Sequence, residues 1–386
     1  MASVVLESAD AKNSFVDLSG VDSSTFSNPY DALIEACNDD PALLQEKYSA
    51  HRENRNAQQK ANILSPTFPG LILDGILLRR VDPSVSPGYV DPRNSLVFWG
   101  RPPPHVRELA TTIQAKLKEV SPRIWLMPPE NMHITLLEIT HSRPASAIPP
   151  IISALSPVIN SIIKAPGKSP SRLIRPLISF DAAALALSFV PVADEKYSYH
   201  HLRRDLFALA SSTGVDVGSR YVVPSAHATL GRFIYGEDHD SKEKLEKWVE
   251  AIEKINEWLV ETYWGDNGLE WVVDQDLVLR DGRLCKLRAG YVLIVAITVK
   301  LARKQPSQYQ NHRQNQANTT PSAPPASERV LPTIARADYT APTAQNKQVA
   351  NSIPELADEG RPALHQGQYT AAALHKEPNP ASLSSS

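Results

Sequence analysis

The sequence predicts an α+β fold in which short strands alternate with amphipathic helices. Three observations lead there. Between about residue 70 and residue 283, apolar runs of strand length alternate with segments whose apolar residues recur every three or four positions. The second half of that stretch repeats the order of the first. One tetrapeptide, His-x-Thr-Leu, stands in both halves: His133-Ile134-Thr135-Leu136 and, 94 positions later, His227-Ala228-Thr229-Leu230.

The elements follow in order. Residues 1–65 are polar and acidic, so they read as an N-terminal extension, partly helical or loose, with one helix expected from Asp31 to Glu46 behind Asn28-Pro29. Residues 66–283 form the predicted folded domain. Leu71 to Leu78 and Leu96 to Trp99 have strand length. Pro102-Pro103-Pro104 then opens a helix carrying Val106, Leu109, Ile113, Leu117 and Val120 at helical spacing. Ile124 to Met127 and His133 to Ile139 read as strands separated by Pro128-Pro129, and a proline-punctuated helix follows around Ile151 to Ile163. Leu177 to Val190 suits one or two paired strands.

In the second half, Tyr199, Leu202, Leu206 and Leu209 mark a helix that Gly214 is placed to end. Tyr221 to Val223 leads through Pro224 into a strand from His227 to Ile234. A long helix from Ser241 to Trp264 turns Leu245, Trp248, Ile252, Ile255 and Leu259 inward. Glu243/Lys247 and Glu250/Lys254 are i,i+4 pairs on its outer face. A strand from Leu269 to Leu279 closes the domain at an Asp281-Gly282 turn.

Residues 284–304 are a transition whose apolar piece fits an edge strand or a sticky flank. The tail 305–386 is expected to be disordered: the last 86 residues hold ten prolines and neither Trp nor Phe, too little apolar surface to offset ordering entropy.

Composition narrows the function classes. Hydrophobic residues at 42% and charged residues at 21% suffice for a core, while a net charge of −2 gives no global basic field for long nucleic acid. Cys37 and Cys285 make neither a disulfide framework nor a zinc spacing. The N-terminus has no basic region before its apolar residues, so no signal peptide is expected. The most apolar run, Ala289 to Val299, falls far short of the roughly 20 residues of a membrane helix. A soluble cytoplasmic or nuclear monomer is expected, with no membrane association and no evident protein partner.

The chemistry lies in the repeat. Side chains alternate across a strand, so His133 and Thr135 share one face and Ile134 and Leu136 the other, with the same division in the second copy. Both copies follow an apolar residue and a proline, Met127-Pro128 and Val223-Pro224. Two such strands side by side set two imidazoles and two hydroxyls around one cleft. Opening a cyclic phosphodiester needs a base to activate water and an acid to protonate the leaving alkoxide. Imidazole suits both tasks, with an unperturbed pKa of about 6.5. Threonine hydroxyls can donate to the non-bridging oxygens.

On these two motifs and the strand–helix order around them, residues 70–283 resemble the two-histidine phosphoesterase superfamily, which includes 2′–5′ RNA ligases and cyclic nucleotide phosphodiesterases. The resemblance implies two pseudo-symmetric lobes of antiparallel sheet with flanking helices around a central groove. It implies hydrolysis of a 2′,3′-cyclic phosphate or related cyclic nucleotide or RNA end, with no metal or other cofactor. His133 and His227 would be the catalytic residues, and Thr135 and Thr229 the phosphate-binding ones. The same groove could instead bind an RNA end or nucleotide without turnover, or join RNA ends.

Arg232, three residues beyond Thr229, is a candidate substrate contact reaching from the strand end, although strict alternation puts it on the opposite face. The bland alternatives are two structural histidines on polar strand faces, or zinc, which lacks a third ligand at suitable spacing. His200-His201 reads as solvated helix surface and His141 as a loop histidine. Tyr263 and Trp264 read as core packing, with base stacking as the functional alternative.

Overall fold

The structure is a computed structural model that describes residues 16–265 and 268–283. The first 15 residues, Cys285, the run Ala289 to Val299, the 284–304 transition and the 305–386 tail lie outside the described residues.

The predicted mixture of helices and antiparallel sheet is what the chain forms. The strands are β1 (Asn94–Gly100), β2 (Trp125–Leu126), β3 (Ile134–Arg143), β4 (Ser171–Phe180), β5 (Ala184–Pro191), β6 (Ala226–Arg232), β7 (Trp271–Val273) and β8 (Val278–Arg283). They form one sheet in the order β7–β4–β5–β6–β3–β1–β8, with β2 beside β6 and every pairing antiparallel. The helices are α1 (Asp31–Ala36), α2 (Pro41–Ile63), α3 (Gly75–Val81), α4 (Pro104–Val120), α5 (Ile148–Leu155), α6 (Ile159–Lys168), α7 (Tyr199–Ser211) and α8 (Lys242–Tyr263). Among the described residues no single helix is long and apolar enough to cross a membrane.

The helical periods place most of the core as expected, with Val120 and Leu245 half-buried. Val106, Leu109, Ile113 and Leu117 of α4 are buried, as are Trp248, Ile252, Ile255 and Leu259 of α8. Ser241 caps α8 through a bond from Lys244 N, and Glu250–Lys254 pairs on its outer face at 2.6 Å. Leu177 to Val190 becomes the β4–β5 hairpin, whose turn is tied by Asp181 Oδ1 accepting from the amides of Ala183 and Ala184.

Five local expectations are corrected. The helix expected over Asp31 to Glu46 is broken: Asn38 and Asp39 take positive φ, which these short polar residues tolerate, and Asp40-Pro41 starts α2 afresh. Leu71 to Leu78 is not a strand. Asp74 accepts from Leu77 N at 2.8 Å and so caps a helix, α3. Leu269 to Leu279 is two strands, interrupted at Asp274-Gln275-Asp276, and β7 and β8 sit at opposite ends of the sheet. Asp281 and Gly282 pair with Leu96 and Ser95 inside β8 instead of turning. His141 lies within β3, because pairing with β1 continues to Asn94↔Arg143.

Among its described residues, 16–65, the N-terminal extension is partly helical, and α2 is packed rather than loose. Leu44, Tyr48 and Ile63 of α2 enter the core. Gln45 donates to Pro191 O, Arg52 to Arg175 O and Asn56 to Ile178 O, so polar side chains dock α2 on the β4–β5 hairpin. Polar side chains bonding strand carbonyls add no apolar period to read, which hides this helix's attachment in the sequence. The same cover buries His200 and His201, expected on a solvated surface. His200 Nδ1 lies 2.9 Å from Tyr48 Oη and its Nε2 2.9 Å from Tyr30 O. His201 completes the capping box of α7 with Ser198 and reaches Asp39 at 2.7 Å.

Candidate functional site

The two motifs sit on adjacent strands. Strand β3 meets β6 through the single register pair Ile134↔Ala228. Antiparallel register then sets His133 beside Thr229 and Thr135 beside His227. Burial follows the predicted alternation: Ile134, Leu136, Ala228 and Leu230 are buried, and the two histidines and two threonines between them are partly exposed. All four polar groups therefore share one face of the sheet. Diagonal neighbours across such a pair stand roughly 7–8 Å apart, and the charge of His227 is felt at His133.

Each imidazole is oriented through Nδ1. His133 Nδ1 is 2.7 Å from Asn131 O. A carbonyl only accepts, so Nδ1 carries the proton and neutral His133 presents an unprotonated Nε2. Its ring stacks on Trp99 with centroids 3.5 Å apart and planes 12° from parallel. Trp99 in turn carries the Arg280 guanidinium at 5.0 Å and that of Arg101 at 5.9 Å. His227 Nδ1 lies 2.8 Å from Ser225 Oγ, a hydroxyl that can donate or accept.

Both imidazoles are held neutral. Burial, with the charges of Arg101, His227 and Arg280, pushes His133 down to about 3. Burial, with Arg203, Arg55 and His51, pushes His227 down to about 4. Arg101 and Arg280 thus act on His133, and Arg203 and Arg55 on His227, where Asp181 opposes them.

A groove opens at the second motif, lined by His227, Thr229, Ser225, Tyr221 and Arg232 on one side and by α2 on the other. His133 and Thr135 lie outside this lining; His133 packs under Trp99 instead.

Arg232 belongs to the same face as Thr229, contrary to strict alternation. Thr229 pairs with Ala186 and Gly231 with Leu185, so Leu230 is an extra residue in a β-bulge. The bulge advances the phase by one, and Arg232 lines the groove while also pairing with Asp74 at 3.4 Å. Buried Gln114 of α4 donates to the carbonyls of Leu230 and Met127, at 2.9 and 2.8 Å. Gly231 lets β2 approach: a Cβ there would stand 2.9 Å from Trp125 O.

Other groups were not evident from the repeat. Arg203 of α7, fully buried, donates to Leu136 O of the first motif and to Val223 O before the second, and to Tyr30 Oη. Buried Glu138 of β3 holds Arg220 at 2.9 Å and so ties the approach to β6 against β3. Trp264 carries two guanidiniums over its ring, Arg52 at 5.1 Å and Arg175 at 5.8 Å. Among the described residues no group of three or more His, Cys, Asp or Glu could hold a metal ion.

No protein-family model matches the chain, and no curated protein matches it.

Proposed function

We propose that this chain is a metal-independent phosphoesterase that hydrolyses a 2′,3′-cyclic phosphate or a related cyclic nucleotide or RNA end. The observation that carries this reading is the Ile134↔Ala228 pair, which gives both His-x-Thr motifs one polar face. We also read the sheet as two pseudo-symmetric lobes, β4–β5–β6–β7 and β1–β3–β8, joined at that pair.

In this mechanism His133 is the base. Its tautomer leaves Nε2 free to take a proton from water, whose oxygen attacks phosphorus. The bond to one ribose oxygen breaks, and that oxygen takes a proton from His227. Ser225 can follow either protonation state of His227, since its hydroxyl donates to a neutral Nδ1 or accepts from a protonated one. Thr135 and Thr229 donate to the non-bridging oxygens, and Arg232 adds a positive charge at the strand end. The next turnover begins after the proton moves from His133 to His227 through solvent.

The test incubates purified protein with 2′,3′-cyclic nucleotides and EDTA. Turnover persists in EDTA, and His133→Ala or His227→Ala lowers it by about 10²–10⁴-fold. EDTA-sensitive turnover, or a substitution without effect, overturns the mechanism.

A further inference from the structure

We propose that helix α2 builds a second anion subsite at the His227 end of the groove, where Arg52, Arg55 and His51 receive a phosphate other than the reacting one. The proposal deepens the phosphoesterase reading: the preferred substrate is a cyclic-phosphate nucleotide or RNA end that carries a further phosphate.

Charge is the first ground. The groove lining holds Arg52, Arg55 and Arg232; Arg232 pairs with Asp74 and Arg55 with Asp181, which leaves the charge of Arg52 over on this wall. Arg55 Nη2 bonds Asp181 Oδ2 at 2.7 Å, and Asp181 Oδ1 is already committed to the hairpin turn.

Arg52 is the second and stronger ground. It is only 4% exposed, yet it forms no ion pair among the described residues. Its Nη1 donates to Arg175 O at 2.7 Å, while Nε and Nη2 have no acceptor among the described residues. Trp264 holds the guanidinium plane at 5.1 Å, and Arg175 adds a second positive charge at the same ring. Burial and that like charge push Arg52 down to about 10. A buried guanidinium with donors to spare, beside an open groove, is a costly arrangement unless an anion completes it. Phosphate matches its fork of N–H groups.

The third ground is His51. Its Nδ1 lies 3.0 Å from Leu18 N and 3.4 Å from Asp17 Oδ1, and the residue lines the groove. Arg55 and His51 are both near enough to His227 for their charges to reach it. A single nucleotide could therefore engage both places.

The experiment compares pairs of ligands on the full chain. Calorimetry measures binding of a nucleoside 3′,5′-bisphosphate against the 3′-monophosphate, and kinetics compares a 2′,3′-cyclic nucleotide with and without a 5′-phosphate. Wild type prefers the extra phosphate by about tenfold or more, the scale of charge-assisted hydrogen bonds. In Arg52→Gln and in Arg55→Gln the preference falls towards one. Arg55→Gln decides the matter if Arg52→Gln melts early, since Arg55 is not buried with unmet donors.

A wild type without preference, or a preference intact in the folded variants, overturns the subsite. Turnover without preference leaves the phosphoesterase reading standing and removes the subsite alone. Preferential binding lost in the variants, without turnover, does the reverse.

Discussion

Binding a phosphodiester should draw a proton onto His227. The free site holds His227 near 4, against an ordinary 6.5, through burial and the surrounding Arg203, Arg55 and His51. A single negative charge about 4 Å away contributes about 4 kcal/mol at an effective dielectric of about 20. At about 1.4 kcal/mol per pKa unit this is about three units. His227 then titrates near pH 7 in the complex. His133 starts lower, near 3, and repulsion from a protonated His227 keeps it neutral, as a base requires. Isothermal titration with a 3′,5′-cyclic nucleotide, whose single charge does not titrate here, measures the uptake. Heats in buffers of different ionisation enthalpy should give about half a proton at pH 7 and almost none at pH 9. His227→Gln should abolish the uptake. Saturable binding with no proton uptake between pH 6 and 7, or equal uptake in His227→Gln, would refute the electrostatic account.

Three further outcomes are expected. Four histidines, His133, His200, His227 and His239, have depressed pKa values, so the unfolded chain binds protons that the folded chain refuses. Stability is therefore intact above about pH 6.5 and falls towards pH 4; His200 alone, buried and pushed to about 3, costs about 2 kcal/mol at pH 5. Melting temperatures that hold steady from pH 7 to pH 5 would contradict this. Gly231→Ala should lower stability by about 1–3 kcal/mol, because its Cβ meets Trp125 O at 2.9 Å, and a denaturation curve overlapping wild type would show that β2 yields freely. Arg203→Met should cost about 3–5 kcal/mol in urea titrations, since it strands the carbonyls of Leu136 and Val223; a loss under 1 kcal/mol would mean water replaces the guanidinium.

The repeat and the helical periods were the legible part. Period-two burial at His133–Leu136 and His227–Leu230 follows from the residues alone, and so do the inward faces of α4 and α8. The groove's other wall was not legible, because α2 attaches through Gln45, Arg52 and Asn56, polar residues bonding backbone carbonyls. Periodicity reports apolar faces and misses such contacts. The face of Arg232 is hidden for a similar reason: one extra residue at Leu230 changes the phase, and nothing in Thr229-Leu230-Gly231 announces it apart from the glycine. The period of α7 does not reveal the segment that covers His200 and His201.

The placing of β7 and β8 bears on how the molecule is made. Four residues, Asp274 to Leu277, separate two strands that close opposite margins of the sheet, β7 on β4 and β8 on β1. Neither margin can close on a nascent chain until residues 271–283 have been synthesised, long after β1 at residues 94–100. During that interval β1 and β4 each present unpaired backbone groups, the template on which wrong partners add. The final short segment acts as a double clasp, and a chain interrupted before Trp271 would lose both fastenings at once.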